Sequence, residues 1–262
     1  MLNNLKKYDI FIRIKKGREN AMNIIKCSSA DEIAQKVSKM IIDKIKEKPD
    51  AILGLATGAS PVKTYNKLIE AYKNGEVSFK DVKTFNLDEY YHLPRSNKNS
   101  YYTFMHENLF NSIDIKEENT HVPDGNPADA DAYCKEYDKS IDDAGGIDIQ
   151  LLGIGRNGHI GFNEPSDHFT RGTYKVSLTP STIEANRIYF NSEEEMPKEA
   201  ITMGVESILK AKTVILIATG KFKAEAVRDM VKGEVSPSCP ASVLQKHPDA
   251  YIFVDEEAAA LL

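Results

Sequence analysis

Residues 51–61 read AILGLATGASP, and this stretch carries the pattern from which the fold is predicted. The apolar run 51–55 has no polar alternation, which is typical of a strand buried on both faces of a parallel sheet. A helix is predicted directly after it, with Ser60 as the N-cap and Pro61 at the first helical position. Its inward face is predicted from apolar residues at helical spacing, which are Val62, Tyr65, Ile69 and Tyr72.

The same alternation of strand and helix recurs along the chain. Further strands are predicted at Val82–Leu87, Ile147–Leu152, Thr213–Ala218 and Ala250–Val254, which are short segments rich in apolar residues. A capping-box pattern at residues 29–32 (SADE) predicts another helix before the strand at 51–55. Buried strands separated by helices predict an α/β fold, a three-layer sandwich with a mostly parallel, Rossmann-like sheet covered by helices on both faces.

Residues 1–21 differ in composition from the remainder of the chain. They are rich in lysine and arginine, and the ordered apolar pattern begins only at Met22. We therefore predict one domain over residues 22–262 and an N-terminal extension over residues 1–21. Two interpretations of this extension stay open: a short extra strand or arm, or a stretch translated from a misassigned start.

The composition excludes several classes of protein. The 262 residues carry 34 Lys+Arg against 39 Asp+Glu, a net charge of −5, which argues against a nucleic-acid binder. No apolar run approaches the ~18 residues that a membrane span requires. Cys27, Cys134 and Cys239 are far apart, which predicts neither a disulfide framework nor a zinc site and favours a cytoplasmic protein. The histidines are scattered without metal-ligand spacing, so no metal is predicted.

Ligands of parallel sheets bind beyond the carboxyl ends of the strands, so the polar residues that follow each predicted strand are the candidates for a site. Thr57–Ser60 form a small turn at a helix start, where free backbone N–H groups suit a phosphate. Residues 219–223 (TGKFK) form a second glycine turn, whose lysines oppose the helix dipole at a cost that an anionic ligand would offset. The alternatives are a common helix-start turn and a pair of solvated lysines.

Asp88 and Glu89 follow the predicted strand 82–87. A shielded carboxylate at a strand end can act as a general base, because burial tunes its pKa toward neutral pH. An ordinary Asp-Glu turn is the competing interpretation of this dipeptide.

The most informative stretch is residues 153–165, GIGRNGHIGFNEP. Its glycines allow the backbone to approach a ligand closely, and His159 lies five residues before Glu164, a usual pairing for acid–base chemistry. The first three glycines match the spacing of a dinucleotide-binding loop. The acidic residue expected about 20 positions later is missing, so a nicotinamide cofactor is not favoured.

These stretches resemble the glucosamine/galactosamine-6-phosphate isomerase family, and within it the glucosamine-6-phosphate deaminases. The resemblance runs in collinear order over Met22–Val254. Its motifs are GLATGASP (54–61), TFNLDEYYHLP (84–94), NSYYTFMHENLF (99–110), GIGRNGHIGFNEP (153–165) and ANR (185–187). The 6-phosphogluconolactonases share the fold but typically carry a DER-type turn in place of Asp88-Glu89-Tyr90.

The resemblance implies that D-glucosamine 6-phosphate and water give D-fructose 6-phosphate and ammonia, without a metal or an organic cofactor. It implies that His159 opens the sugar ring with support from Glu164, and that Asp88 moves a proton from C2 to C1. The residues implied in catalysis are Asp88, Asn157, His159 and Glu164. Those implied in holding the phosphate or neighbouring oxygens are Thr57, Gly58, Ala59, Ser60, Arg187 and Lys223.

The chain departs from the family pattern at two places. Many members have aspartate two residues before the histidine, where this chain has Asn157, which orients an imidazole without supplying a full charge. Some members are activated by N-acetylglucosamine 6-phosphate at a site that contains basic residues. Lys175 matches one of these residues, but the arginine that precedes it in those members is replaced by Thr173 here. Weak or absent activation is therefore expected.

The expected partner is a small sugar phosphate, with no nucleic acid and no membrane, and a homo-oligomer is possible. Two other functions stay open: hydrolysis of 6-phosphogluconolactone, and non-enzymatic sensing of a sugar phosphate.

Overall fold

The structure is a computed structural model that describes residues 12–15, 21–190, 192 and 195–262. Its strands are β1 (Ile12–Lys15), β2 (Ala21–Cys27), β3 (Ile52–Leu55), β4 (Lys83–Asn86), β5 (Asp88–Tyr90), β6 (Thr120–His121), β7 (Ile149–Gly153), β8 (Tyr174–Ser177), β9 (Glu199–Thr202), β10 (Thr213–Ala218) and β11 (Ala250–Asp255). Its α-helices are α1 (Ala30–Glu47), α2 (Ala59–Lys73), α3 (Tyr101–Asn108), α4 (Ala130–Ala144), α5 (Pro180–Asn186), α6 (Val205–Leu209) and α7 (Ala224–Lys232).

The central sheet confirms the predicted α/β architecture. Its strand order is β1-β2-β11-β10-β7-β3-β4-β6, and every neighbouring pair is parallel except β1 with β2 at one edge. Apolar residues of α1, α2 and α3 pack on one face of the sheet, and those of α4, α6 and α7 pack on the other. Each of the predicted strands forms part of this sheet, since strands covered on both faces are mostly apolar, although buried polar residues interrupt β4 at Thr84 and Asn86 and β7 at Gln150.

The helix starts differ from prediction in an instructive way. The Ser29 hydroxyl accepts from Glu32 N–H at 3.2 Å as expected, but the Glu32 carboxylate reaches Ser28 N–H at 2.8 Å rather than Ser29. The prediction that Ser60 caps α2 is wrong, since the helix begins at Ala59 with Gly58 as N-cap. Gly58 has φ of 84°, a conformation that glycine adopts without penalty, and this starts the helix two residues sooner.

The topology creates a crevice between β3 and β7. From β3 the chain passes to β4 and β6 on one side of the sheet, whereas β7, β10 and β11 lie on the other side. The connections that follow β3 and β7 therefore turn away from each other. Ligand sites in open α/β sheets lie at such a switch point, beyond the carboxyl ends of the strands.

A second, antiparallel sheet was not predicted from the sequence. Its strand order is β5-β9-β8, and Asp88 pairs with Thr202 in its register. These strands are short, and β8 is only partly buried, so they lack the apolar run that identified the others. Because only Leu87 separates the end of β4 from the start of β5, this sheet holds Asp88 close to the carboxyl edge of the central sheet.

The N-terminal extension is described only in part. Residues 12–15 form β1, which pairs antiparallel with β2, and this corresponds to the extra strand among the two interpretations. Residues 1–11 and 16–20 lie outside the described residues, and the translation start stays a prediction. In the part of the chain that the structure describes, no helix combines the length and apolar character needed to cross a membrane.

Candidate active site

The first component of the site is the N-terminus of α2. Gly58 has no side chain to cap the helix, so the N–H groups of its first turn have no side-chain acceptor from that residue. The helix dipole places partial positive charge at the same point. Thr57–Ser60 therefore lie at a helix start of the kind that suits an anion, and the binding of a phosphate there stays a prediction.

The loop after β7 lies against this turn. A Cβ added at Gly153 would lie 3.7 Å from Ser60 Oγ, which places the two loops in contact. The next residue, Ile154, accepts a hydrogen bond through its carbonyl from Lys223 Nζ at 2.5 Å. The structure thus brings Lys223 and Thr57–Ser60 to the same end of β7.

The backbone N–H groups of the turn that precedes Lys223 already donate hydrogen bonds to carboxylates of this chain. Asp255 accepts from Gly220 N–H at 2.9 Å and 3.1 Å, and Glu257 accepts from Lys221 N–H at 3.1 Å. The anion expected to offset the lysines at this turn is therefore supplied by the chain itself. Lys223 can serve a ligand only through its ammonium group, whose pKa is lowered by burial and then by the charge of Arg156.

Arg187 follows α5 and has an exposed side chain. It makes no hydrogen bond to Ser60 or Lys223 in the described part of the chain, so its role at the phosphate stays a prediction.

His159 is held by its neighbours in the glycine loop. A Cβ at Gly155 would lie 2.2 Å from the imidazole ring, so only glycine lets the ring pack against the backbone there. His159 Nδ1 lies 2.7 Å from Asn157 Oδ1 and 3.4 Å from Glu164 Oε1. Asn157 Nδ2 in turn donates to Glu164 Oε2 at 2.6 Å.

This chain of contacts fixes which nitrogen of His159 can exchange a proton. Because a carboxylate only accepts, Glu164 must face the amide nitrogen of Asn157, and the amide oxygen must then face His159. The Nδ1 atom therefore carries hydrogen and donates it to Asn157 Oδ1. Nε2 remains as the atom that can give or take a proton at a substrate oxygen.

Glu164 is ionised in this arrangement. Burial raises its pKa, but the hydrogen bond and charge of His159, with hydrogen bonds from Thr182 and Asn157, outweigh burial and lower it to about 2. The Thr182 hydroxyl, at the start of α5, donates to Glu164 Oε1. Glu164 thus supplies the full negative charge next to the imidazole that Asn157 lacks.

Asp88 has the opposite electrostatic environment. Its side chain is buried, and no described residue donates a hydrogen bond to its carboxylate. Burial, followed by the nearby charge of Glu89, raises the pKa of Asp88 to about 8. Such a group can hold or release a proton near neutral pH, which a general acid–base residue must do.

Gly161 brings the two catalytic candidates together. It lies two residues after His159, and a Cβ there would lie 3.5 Å from Asp88 Oδ2 and 3.0 Å from Thr202 Oγ1. The Thr202 hydroxyl accepts from Phe162 N–H at 3.2 Å and so ties the glycine loop to β9. The pairing of β5 with β9 therefore positions Asp88 against the backbone of the histidine loop.

Glu89, next to Asp88, has a structural role. Its buried carboxylate accepts N–H groups from Tyr90 at 2.8 Å and from Tyr101 and Tyr102 at 2.9 Å. The last two belong to the first turn of α3, so Glu89 anchors that helix. Burial raises the pKa of Glu89 to about 7, against the opposing effect of these donors.

Sequence reasoning missed Thr182, Thr202 and the carboxylates at Gly220 and Lys221. Thr182 lies 18 positions from Glu164 and Thr202 lies 40 positions from Phe162, so no local spacing pointed to them. Among the residues that the structure describes, no group of three or more His, Cys, Asp or Glu could hold a metal ion.

A helix start without a side-chain cap, an oriented histidine and a buried carboxylate thus lie at the carboxyl end of the central sheet, near one switch point. This combination is that of an α/β enzyme that performs acid–base chemistry on a small anionic substrate.

The chain belongs to the family of glucosamine-6-phosphate isomerases and 6-phosphogluconolactonases, whose family model matches residues 26–253. A glucosamine-6-phosphate deaminase of Clostridioides difficile (strain 630) is 52% identical over 241 residues, covering 92% of this chain and 97% of that protein. One of Clostridium botulinum (strain Alaska E43 / Type E3) is 51% identical with the same coverage.

Solved structures agree with this family. A monomeric glucosamine-6-phosphate deaminase superposes with a TM-score of 0.89 at 45% identity, covering 92% of this chain and all of that one. The 6-phosphogluconolactonase of Trypanosoma cruzi superposes with a TM-score of 0.75 at 22% identity, covering 95% of this chain and 99% of that one. The second likeness concerns the fold alone.

Proposed function

We propose that this enzyme converts D-glucosamine 6-phosphate and water into D-fructose 6-phosphate and ammonia. The observation that carries the proposal is the buried carboxylate of Asp88, with a pKa raised to about 8, beside the histidine loop. Moving a proton between adjacent carbons needs such a group, because it must accept a proton from one carbon and return it to the next. Relatives of about 50% identity that carry the deaminase name support the same assignment.

The first step opens the sugar ring. In this step the O1 hydroxyl loses its proton and O5 gains a proton. Nε2 of His159 is the atom available for this transfer, since Nδ1 is engaged by Asn157. Glu164 stabilises the imidazolium that forms when Nε2 takes the proton. Thr182, through its bond to Glu164, keeps that carboxylate in position.

The second step is carried by Asp88. Its ionised carboxylate takes the proton from C2 of the open-chain amino aldehyde while O1 gains a proton from the substrate's own ammonium group, giving a neutral enolamine. Asp88 then delivers its proton to C1 and is ionised again. The C2 imine that results adds water and releases ammonia, which leaves the ketose 6-phosphate. Because Asp88 is shielded from water, the proton it removes is retained for C1 rather than lost to solvent.

The phosphate is assigned to the N-terminus of α2, with Lys223 and Arg187 as its cations. Backbone N–H groups of residues 58–60 would bind the phosphate oxygens. Lys223, already adjacent to this loop through Ile154, would supply a point charge, and Arg187 a planar fork.

The decisive experiment supplies purified enzyme with glucosamine 6-phosphate and measures fructose 6-phosphate and ammonia together. We expect equimolar release of both products, and a loss of at least about 10²-fold in kcat for Asp88→Asn, as for removal of a general base. Hydrolysis of 6-phosphogluconolactone without deamination would instead assign the lactonase function. Binding without turnover of either compound would assign a sensor.

The partner of this enzyme is accordingly a small sugar phosphate, and we place it in the cytoplasm, as its cysteine usage predicts. Cys27 and Cys134 are buried free thiols and Cys239 is half-buried. A homo-oligomer stays a prediction, while the 45% identical relative is described as monomeric. Sedimentation velocity distinguishes the two, since the monomer has a mass of 29.3 kDa.

A further inference from the structure

An exposed aromatic side chain lies at the mouth of the phosphate site. Phe222 is 62% exposed, an unusual environment for a large apolar ring. The guanidinium carbon of Arg156 lies 4.6 Å from the centre of this ring, and Lys221 Nζ lies 5.3 Å from it. Phe222 thus acts as a platform for two cations.

Arg156 has no carboxylate partner among the described residues, although the chain carries a net charge of −5. Many lysines elsewhere form ion pairs, among them Lys48 with Asp148 at 3.0 Å and Lys175 with Glu199 at 3.1 Å. The stacking on Phe222 is therefore what holds the guanidinium of Arg156, and its hydrogen-bond donors stay available.

The loops that carry Arg156 and Phe222 are joined at the phosphate site. Phe222 directly precedes Lys223, whose ammonium binds the carbonyl of Ile154, two residues before Arg156. Ile154 in turn follows Gly153, where an added Cβ would lie 3.7 Å from Ser60 Oγ at the N-terminus of α2. Arg156 is exposed and Lys223 is half-buried in the same pair of loops.

We propose that Arg156, held by Phe222, is a further phosphate-binding residue that captures the phosphate dianion of the substrate as it enters. The proposal rests on the proposed function for the identity of the substrate, but it concerns only the phosphate. The nearby carboxylates of Asp255 and Glu257 bind the backbone N–H groups of Gly220 and Lys221 and make no described ion pair with Arg156 or Lys223, so both side-chain cations keep their charge for a ligand. A phosphate dianion would neutralise both, with the guanidinium as a planar donor and the ammonium as a point charge.

The electrostatics of Lys223 agree with this arrangement. Burial and the charge of Arg156 both lower the pKa of Lys223, as expected for neighbouring cations without a bound anion. A dianion bound between the two cations would reverse the effect of Arg156, because it attracts both.

Inorganic phosphate is a suitable probe, since its binding does not depend on turnover. Isothermal titration calorimetry with phosphate would compare the wild type with Arg156→Gln and Phe222→Leu. We expect the Kd to rise about tenfold in Arg156→Gln, since a hydrogen bond to a charged group contributes about 1.5 kcal/mol or more. Phe222→Leu keeps the charge but removes the platform, and we expect a rise of about threefold, within the range of a cation–π contact.

Two controls separate this role from a general effect of charge. Arg171→Gln removes the charge of another exposed arginine and should leave the Kd within about twofold of the wild type, as screened distant charges do. Lys221→Gln removes the second cation beside Phe222 and should change the Kd much less than Arg156→Gln. Equal effects of Arg156→Gln and Lys221→Gln, or no effect of Arg156→Gln, would overturn the proposal.

Kinetics with glucosamine 6-phosphate give a second readout. We expect Arg156→Gln to raise KM more than it lowers kcat, because the contact forms with the phosphate before and during reaction. If the wild type fails to turn over the amino sugar while Arg156→Gln still weakens phosphate binding, the proposed function fails and the role of Arg156 stands. If the wild type turns over the amino sugar while Arg156→Gln binds phosphate as tightly as the wild type, the proposed function stands and the role of Arg156 fails.

Discussion

At the scale of single residues, the site separates two carboxylates by their surroundings. Glu164 receives hydrogen bonds from Asn157 and Thr182 and faces His159, which brings its pKa to about 2. Asp88 is buried without a described donor, and its pKa is raised to about 8. Two acids held at such different pKa values serve different parts of one reaction, one as a fixed charge and the other as a proton carrier.

The burial of Asp88 is expected to lower the free energy of unfolding as pH rises. Its pKa is 3.8 when unperturbed and about 8 in the folded state, so the folded chain keeps a proton over this window that the unfolded chain has lost. The contribution of Asp88 to stability therefore falls as pH rises from about 4 to about 8. Asp88→Asn lacks this titration.

We expect Asp88→Asn to gain in Tm relative to the wild type as pH rises from 5 to 9. The gain should reach several degrees, since about 1 kcal/mol corresponds to about 2–4 °C in a chain of this size. Thermal melts across this range, with Asp50→Asn as a control at an exposed carboxylate, measure the effect. A difference that is constant with pH would contradict it.

Asn157 is the residue whose replacement tests the histidine network. Its amide donates to Glu164 and its oxygen accepts from His159, whereas an aspartate would accept from His159 and face Glu164 as a like charge. We expect Asn157→Asp to move the acidic limb of the pH–rate profile to higher pH, because a second negative charge favours the imidazolium and Nε2 must be unprotonated to take the substrate proton. The profile of kcat/KM against pH measures this shift.

An unchanged profile in Asn157→Asp would argue against a direct partnership of residue 157 with His159. Asn157→Ala serves as the comparison, because it removes the orienting oxygen without adding charge. It should lower the rate without an upward shift of the acidic limb.

At the scale of elements, the pairing of β5 with β9 positions the catalytic carboxylate. Asp88 pairs with Thr202, and Gly161 fits between them with φ of 56°. The close approach of Thr202 and the positive φ both favour glycine at this position. The antiparallel sheet thus fixes the distance between Asp88 and the loop that carries His159.

We expect Gly161→Ala to lower kcat at least about tenfold and to destabilise the fold by about 1–2 kcal/mol, the cost of placing a Cβ at left-handed φ. The added methyl group would lie 3.0 Å from Thr202 Oγ1 and would press on Asp88. Steady-state kinetics and urea unfolding measure the two effects. Gly146→Ala is the matched control, since it has φ of 78° but open space around its Cβ, and it should lose stability while keeping its kcat.

At the scale of the whole molecule, the basic site expected from activated relatives is engaged internally. Lys175 Nζ lies 3.1 Å from Glu199 and 4.8 Å from the centre of the Tyr91 ring. Thr173 donates to Asp138 through its N–H at 2.7 Å and its hydroxyl at 2.6 Å. An anionic activator would have to displace the ion pair of Lys175 and would meet no arginine at position 173.

We therefore expect a hyperbolic dependence of rate on glucosamine 6-phosphate concentration. Adding N-acetylglucosamine 6-phosphate should change the half-saturating concentration less than about twofold, because a ligand without differential affinity shifts no equilibrium. Initial rates with and without the acetylated sugar phosphate measure this. A sigmoidal curve that becomes hyperbolic on its addition would overturn the expectation.

The sequence by itself determined five of the eight strands of the central sheet and nominated the residues of the candidate site. Strands β3, β4, β7, β10 and β11 could be predicted because strands buried on both faces are rich in apolar residues over a short run, which is a local property, even though β4 and β7 also contain polar residues. Thr57–Ser60, Asp88, His159 and Lys223 could be nominated because each follows such a strand, and parallel strands end at one edge.

Only the tertiary structure decided how those residues act. The bond from Thr182 to Glu164, the approach of Gly161 to Asp88 and the platform of Phe222 beneath Arg156 join residues far apart in sequence. The pKa of Asp88 likewise depends on burial by elements distant in the chain. Such contacts produce no periodic pattern in the sequence, because hydrogen bonding and desolvation depend on distances in space. Sequence patterns show only which face of each helix or strand is apolar.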